Sequence, residues 1–375
     1  MSKAKITILF SSLSGELVGG GQQSLLLYFR GIDRARFIPV LVCPGKGQLV
    51  ETARSLRIHT AVIPMPKIAR LKLSSIVGLR KLIREQNIDC VHTDSPRQTV
   101  YCGIAALLCG KPLIWHVRTS MGENPLFERF LYAISSKVIA VSKTAAERFP
   151  WDRTRKYKKV DIVYNGVDIM DFDKQVRLTD IRKVFGIEPG SLVVGTAGQI
   201  LPTKGQEIFI RAASIVHRKC GGAVTFLIAG TGEEKYVTSL VELSRTLGIG
   251  DKTVFTGFRN DMASVMNAVD IFVLATSLKE GLSRVIIEAM AAAKPVVATD
   301  IGGNCEAVDI GASGMLFPVG NVNSLAEAVF RLASDKELCN TMGRAGRKKL
   351  ERQFDIGENI KAVQDIYEEL VCQNP

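Results

Sequence analysis

The chain has 375 residues, 46% hydrophobic and 23% charged, which at about 150 residues per domain predicts two domains and excludes a disordered or fibrous protein. No apolar run reaches the roughly 18 residues of a membrane span, because the longest, 99–117, is broken by Lys111 and Pro112. The net charge of +12 is one-sided: residues 1–170 hold 26 Lys and Arg against 12 Asp and Glu, and residues 171–375 hold 23 against 25. A basic half-molecule suggests either an anionic partner, a membrane surface or a nucleic acid, or simply a solvated basic surface.

Lys3 and Lys5 precede the apolar stretch 6–10, which is too short for a signal h-region and predicts a buried first strand. Further strands are expected at 38–43, 60–63, 90–93, 112–116, 137–141 and 161–164. Helical patterns lie between them at 21–30, 48–56, 73–86, 98–108, 125–134 and 142–149. Such alternation calls for a parallel sheet covered on both faces. After Asn165-Gly166-Val167-Asp168 comes a polar segment, 171–180. The pattern stops there and restarts, which puts the domain boundary near 168–180. The restart predicts strands at 192–197, 224–229, 254–256, 271–275 and 295–299. Its helices are expected at 206–217, 234–247, 262–269 and 284–293. From residue 324 the chain reads as all-helical, over 325–333, 338–351 and 358–371. The fold class is therefore α/β, with two tandem Rossmann-like doubly wound domains facing across a cleft. We expect residues 1–168 to form the first domain and 169–357 the second, with a final helix near 358–375 packing back on the first.

The 8 cysteines contain no CxxC and do not cluster with histidines. They read as reduced, buried cytosolic thiols, neither a disulfide framework nor a zinc site. There is no GxxxxGK[ST], no complete GxGxxG, no HExxH and no GxSxG. This excludes a P-loop nucleoside triphosphatase and disfavours nicotinamide chemistry.

The most informative segment is Glu280-Gly281-Leu282-Ser283-Arg284-Val285-Ile286-Ile287-Glu288. It follows the strand at 271–275, at the carboxyl end of a parallel sheet where α/β folds bind ligands. Gly281 admits close backbone approach, and the free N–H groups opening the next helix suit a phosphate. Carboxylates on either side of an anion site cannot hold phosphate themselves, but they can accept from hydroxyls. That describes a sugar nucleotide, with ribose on one side and sugar on the other. Two further loops leave strands of the same domain. Gly198-Gln199-Ile200-Leu201-Pro202-Thr203-Lys204-Gly205 brings an ammonium to a helix mouth, and Gly302-Gly303-Asn304-Cys305-Glu306 repeats the glycine-to-helix turn. An ammonium so placed can reach a diphosphate.

These motifs, in this order, together with Tyr164-Asn165-Gly166-Val167-Asp168, resemble the retaining GT-B glycosyltransferases of family 4, also called group 1. The resemblance covers essentially the whole chain. It implies that Glu288 binds the ribose hydroxyls, Glu280 contacts the donor sugar and Lys204 sits on the diphosphate. It places the backbone of Gly281, Leu282 and Ser283 near the sugar and phosphate. Gly19-Gly20-Gly21 resembles the family's glycine loop, so Gly20 and Gly21 border the donor phosphates. His116, in Trp115-His116-Val117-Arg118, matches its cleft histidine, with a catalytic role beside Glu280 and Lys204. Gln199 stands where the family usually carries Arg. It can donate a hydrogen bond but no charge, which leaves Arg284 or Arg118 to replace it. Arg97 and Arg118 are candidates for the acceptor side. Asp171-Phe172-Asp173 fits a DxD metal pattern but follows the linker rather than a nucleotide-binding strand, so no metal is expected.

The expected activity is transfer of a sugar from a UDP- or GDP-linked donor, used as substrate with no cofactor, to a lipid-linked or cell-surface glycan. Retention by same-face attack, with the departing phosphate taking the acceptor proton, is the family's mechanism and enters through the resemblance. Closure about 165–168 would exclude water. The basic first half suggests a cytoplasmic enzyme peripheral on an anionic membrane. Two alternatives remain open: a nucleotide-sugar epimerase of the same fold, and a nucleic-acid-binding protein. The second lacks an aromatic platform or a helix-turn-helix pattern.

Overall fold

The computed structural model describes residues 5–17, 19–122, 124–153, 158–173 and 178–373. Lys3, the start of the first predicted domain and the last two residues of the predicted tail helix lie outside them. The chain divides into two units, Met1–Gly166 with Ile356–Pro375, and Val167–Asp355.

The sheet of unit 1 contains β1 (Ile6–Ser11), β2 (Phe37–Cys43), β3 (His59–Val62), β4 (Cys90–Thr93), β5 (Leu113–Val117), β6 (Lys137–Ala140) and β7 (Val160–Ile162). Among the described residues they run parallel in the order β3-β2-β1-β4-β5-β6-β7. Both faces of β1 are buried along its whole length, as a parallel strand between helical layers requires. The strand order reverses between β1 and β4, so the loops after these strands diverge and leave a crevice at their carboxyl ends.

Unit 2 repeats this plan with β8 (Leu192–Ala197), β9 (Val224–Ala229), β10 (Thr253–Gly257), β11 (Ile271–Leu274), β12 (Val296–Thr299) and β13 (Gly314–Phe317). Their order is β10-β9-β8-β11-β12-β13, again parallel. The reversal falls between β8 and β11. Its core joins Val194, Phe226, Ile228, Ile271 and Val273 of the strands to Phe209, Ile210, Ala213 and Val216 of the helix Gln206–Lys219.

The predicted strands and most helices agree with these elements to within a residue or two. Three differences have local causes. β13 escapes the apolar pattern because it is four residues long and follows a glycine-rich turn, Gly311-Ala312-Ser313-Gly314. The helix expected over 142–149 is confined to Lys143–Ala146; Phe149, before Pro150, adopts φ −117°, ψ 59°, since a residue preceding proline avoids helical geometry. The thiols are not uniformly buried either. Cys43, Cys90 and Cys102 are, whereas Cys305 and Cys372 are exposed because they sit in helical segments at the surface.

The helix Ile356–Gln373 belongs to unit 1. Its Ile360, Val363, Ile366, Tyr367 and Leu370 join Phe10, Phe29 and Phe37 in one core. Each of its four aliphatic side chains contributes about 1.5–3 kcal/mol by burial.

Gly205 ends the loop after β8. It has φ +73°, and a Cβ there would overlap the Ala275 carbonyl oxygen. Left-handed geometry and close approach both require glycine. Gly205→Ala is expected to destabilise the protein by about 1–3 kcal/mol, as overpacking against backbone does, read as a lowered Tm with no change in net charge.

Candidate functional site

In unit 2 the loops after β8, β11 and β12 meet. Lys204 Nζ donates to Glu280 Oε1 at 2.6 Å, joining the β8 and β11 loops across the switch point. The Thr203 carbonyl accepts from Ser277 N at 2.9 Å and from Thr276 Oγ1 at 3.1 Å. On the other side, Thr299 Oγ1 donates to the Thr276 carbonyl at 2.8 Å. Gly303 N donates to the Glu280 carbonyl at 3.0 Å. A Cβ on Gly303 would overlap the Gly281 carbonyl, so the Gly302-Gly303 turn serves as a seat for the Glu280 loop. The glycines are therefore turned to a neighbouring loop, at the glycine-to-helix turn that the sequence pattern predicts.

The helix Arg284–Ala291 starts immediately after Ser283, whose side chain does not cap it. Its first-turn N–H groups and positive dipole end face the loop residues Gly281, Leu282 and Ser283. Leu282 and Ser283 are buried. Glu288, also buried, accepts from Arg284 Nε at 2.6 Å. Burial raises its carboxyl above the ordinary range, and Arg284 works in the opposite direction. The second carboxylate of the motif is thus tied to an arginine rather than standing open, and Arg284 is held in that pair. Gln199 offers its backbone carbonyl to Gln206 Nε2 at 2.9 Å.

In unit 1 a polar group gathers where β1, β4 and β5 end. His116, expected to terminate its strand, is followed by Val117 within β5 and is buried. His116 Nδ1 lies 3.1 Å from His92 Nε2 on β4, and His92 Nδ1 lies 2.6 Å from Tyr367 Oη. His116 Nε2 is buried without a hydrogen-bond partner among the described residues. Both histidines line a cavity with Phe10, Tyr28, Arg118 and Asn165. Arg118 Nη1 donates to Asn165 Oδ1 at 3.1 Å. The helix Gly20–Gly31 opens at the glycine loop. A Cβ on Gly21 would stand 3.6 Å from Arg118 Cδ and 3.8 Å from Asp94 Oδ2, which brings Gly21, Arg118 and Asp94 together. Arg97 lies on the helix Pro96–Leu107 and donates to the Met65 carbonyl at 3.3 Å.

His92, Asp94, Asn165 and Tyr367 are not among the site residues that the sequence singles out. Val91-His92-Thr93-Asp94 closes a predicted strand at its carboxyl end, and that position is a usable signal for His92 and Asp94. Tyr367, 275 positions from His92, has none. Asp173 of the DxD-like sequence accepts from Arg347 Nη2 at 3.0 Å, which accounts for it as part of a structural ion pair.

The family model "Glycosyl transferases group 1" matches residues 179–349, and "Glycosyltransferase Family 4" matches residues 18–170. The crystal structure of Anabaena Alr3699/HepE in complex with UDP-glucose superposes with a TM-score of 0.85 at 24% identity, covering 97% of this chain and 100% of that one. Sucrose-phosphate synthase from Thermosynechococcus elongatus does so with a TM-score of 0.80 at 17% identity, covering 98% and 100%. Among relatives, the Escherichia coli UDP-Gal:alpha-D-GlcNAc-diphosphoundecaprenol alpha-1,3-galactosyltransferase is 26% identical over 95% of both chains. Two parallel sheets with reversed strand order, and solved neighbours of the same build, define a GT-B fold. With both halves matched, the chain belongs to the group 1 glycosyltransferases.

Burial raises the Asp94 carboxyl from its ordinary 3.8 to about 6, with Arg118 acting to lower it. Its Oδ1 is buried without a hydrogen-bond partner among the described residues. Between these two values the folded chain binds more protons than the unfolded one, so this group's contribution to stability falls as pH rises from about 4 to about 6 and is level above. Asp94→Asn is expected to remove that component. Urea midpoints of the two proteins should diverge in favour of the amide variant through this window and stay apart above it.

Proposed function

We propose that the protein transfers a sugar from a UDP- or GDP-linked donor to a hydroxyl acceptor with retention of configuration. The observation that carries this reading is the Lys204–Glu280 pair across the β8–β11 switch point, beside the open N-terminus of the helix Arg284–Ala291. A donor entering there replaces the pair: Lys204 moves to the diphosphate, and Glu280 accepts from sugar hydroxyls. The bond from the anomeric carbon to the diphosphate breaks, and a bond to the acceptor oxygen forms on the same face. The acceptor proton goes to the departing phosphate. Lys204 and the helix N–H groups supply the positive charge that the leaving group needs, so the reading requires neither metal nor cofactor. Glu288 binds the ribose, with its pair to Arg284 holding the carboxylate in place. The solved HepE complex with UDP-glucose and the UDP-Gal-dependent E. coli relative support a sugar-nucleotide donor.

A panel of UDP- and GDP-sugars in thermal shift tests this reading. One class should raise Tm, and Glu288→Ala should abolish that shift. Lys204→Ala should lower kcat/KM by about 10²–10³-fold, the size of a lost leaving-group contact. Equal response of wild type and both variants to every nucleotide would end it.

The acceptor is a lipid-linked or cell-surface glycan, met on an anionic membrane by unit 1. Residues 67–74 are exposed throughout and carry Lys67, Ile68, Arg70, Leu71, Lys72 and Leu73. The helix Leu73–Glu85 continues this strip, burying Ile76, Leu79 and Ile83 while leaving Leu73 72% and Val77 65% exposed. At helical spacing Arg80, Lys81 and Arg84 share the face of Leu73 and Val77. No acidic or aromatic residue interrupts 67–84. Cations interleaved with aliphatic side chains suit headgroups and acyl chains, and they offer nothing on which a base could stack. The protein should bind phosphatidylglycerol vesicles at low salt, release them as salt rises and ignore phosphatidylcholine. The double change Leu73→Asp with Val77→Asp should reduce vesicle binding at least about tenfold, since each step of 1.4 kcal/mol is tenfold, with Tm unchanged.

A further inference from the structure

We propose that Thr276 is a positioning residue for Lys204: its buried hydroxyl, together with Thr299 and Asn304, forms a polar brace inside unit 2 that sets where the ammonium stands relative to the Glu280 loop. Thr276 follows β11, and it, Thr299 and Asn304 are all wholly buried. Thr276 Oγ1 donates to the Thr203 carbonyl at 3.1 Å and accepts from Leu278 N at 3.3 Å. One hydroxyl thus joins the residue before Lys204 to the segment that leads to Glu280. The Thr276 carbonyl accepts from Thr299 Oγ1 at 2.8 Å. Asn304 Nδ2 in turn donates to Thr299 Oγ1 at 3.3 Å and to the Thr299 carbonyl at 3.1 Å. A carbonyl can only accept, so it fixes which end of the Asn304 amide faces it. Both hydroxyls are used as donor and as acceptor, and the line runs from the loop after β12 to the loop after β8.

The brace grips Lys204 from both sides. Before it, the Thr203 carbonyl is held by Thr276 Oγ1 and by Ser277 N at 2.9 Å, with the exposed Ser277 Oγ at 3.3 Å. After it, Gly205 lies so close to the Ala275 carbonyl that a Cβ would overlap it. At the other end Gly303 N, adjacent to Asn304, donates to the Glu280 carbonyl at 3.0 Å. The backbone of both charged residues is therefore tied to one buried line, and their side chains alone need to move when Lys204 exchanges Glu280 for a diphosphate. Packing does not call for these hydroxyls. Valine has the shape of threonine, and the strand positions Val273 and Val297 nearby are valine. A hydroxyl taken out of water is costly unless it is bonded, so Thr276 and Thr299 are explained by what they hold. Misplacing a reacting group by about 1 Å can cost about 10²-fold in rate. Thr276 reaches the chemistry in this way, through Lys204 and without touching the ligand.

The brace is measurable without any ligand; only the binding arm rests on the proposed sugar-nucleotide reading. In hydrogen exchange of the full-length protein, peptides spanning 199–205 and 276–282 should exchange faster in Thr276→Val than in wild type, with β9 unchanged. Thr276→Ser keeps the hydroxyl and should match wild type. Thr225→Val removes a different buried hydroxyl, bonded to Ser191 Oγ at 2.9 Å near the start of β9, and should leave both peptides and nucleotide binding as in wild type. Far-UV circular dichroism and Tm report that each variant folds. By calorimetry, whichever of UDP and GDP the wild type binds should bind Thr276→Val about tenfold more weakly. In Lys204→Ala the same change should weaken it no further, the signature of coupled residues. Unchanged exchange in folded Thr276→Val overturns the brace. Thr276→Ser behaving like Thr276→Val overturns the role of the hydroxyl. A tenfold loss that persists in Lys204→Ala overturns the route through Lys204. Wild type binding neither UDP nor GDP ends the donor reading and that route with it, while the exchange result still decides the brace.

Discussion

The ion pair between Lys204 and Glu280 is the contact on which the geometry of unit 2 depends. It spans the one place where neighbouring parallel strands send their loops in opposite directions, and there a crevice is unavoidable. A lysine from the loop after β8 and a glutamate from the loop after β11 are drawn to each other across it at 2.6 Å. Both side chains keep some solvent contact, 27% and 18% exposed, so the pair is neither locked in the core nor lost to water. Partial desolvation strengthens the attraction, yet each partner remains able to exchange the other for a ligand group of the same sign. Everything around it is backbone carpentry. The Thr203 and Thr276 carbonyls and the Gly303 amide tie three loops into one rim, so the two charges are delivered by rigid neighbours rather than by free loops.

Much of this was legible in the sequence. Strands buried on both faces leave short apolar runs, and β4, β8 and β9 coincide with theirs because flanking glycines or polar residues mark their ends. The rim residues were legible too, since Glu280, Lys204 and Gly303 follow strands directly and chain order alone puts them at carboxyl ends. What the sequence did not disclose was who partners whom. Glu288 reads as an open carboxylate, but the helix turn of four residues hands it to Arg284. The Gly302-Gly303 turn reads as a glycine-to-helix turn, but that its shape answers to the Glu280 loop is visible only in the structure. Such facts depend on side-chain reach and on clearances of an ångström or less, which periodicity does not encode. The polar network of unit 1 was less visible still. Its members come from β4, β5 and the last helix, and Tyr367 looks from its spacing like any core aromatic.

Both units bury polar groups near their switch points, and in unit 2 Gln206 Oε1 and Asn304 Oδ1 are buried without a hydrogen-bond partner among the described residues. In unit 2, buried Glu288 is compensated by a neighbouring guanidinium. In unit 1, several buried polar atoms, among them His116 Nε2 and Asp94 Oδ1, have no partner among the described residues. Unsatisfied buried groups cost stability and are rare in proteins as a whole.

The last helix gives unit 1 an unusual dependence on time. Its core is sewn shut by residues made only after all of 167–355, whereas those residues form an uninterrupted unit of their own. On a ribosome, the second unit can fold while the first still lacks Ile360, Val363 and Tyr367 and leaves Phe10 and Phe37 uncovered. The half that begins synthesis is therefore the half that finishes folding, and its nascent form is the one that needs protection by chaperones.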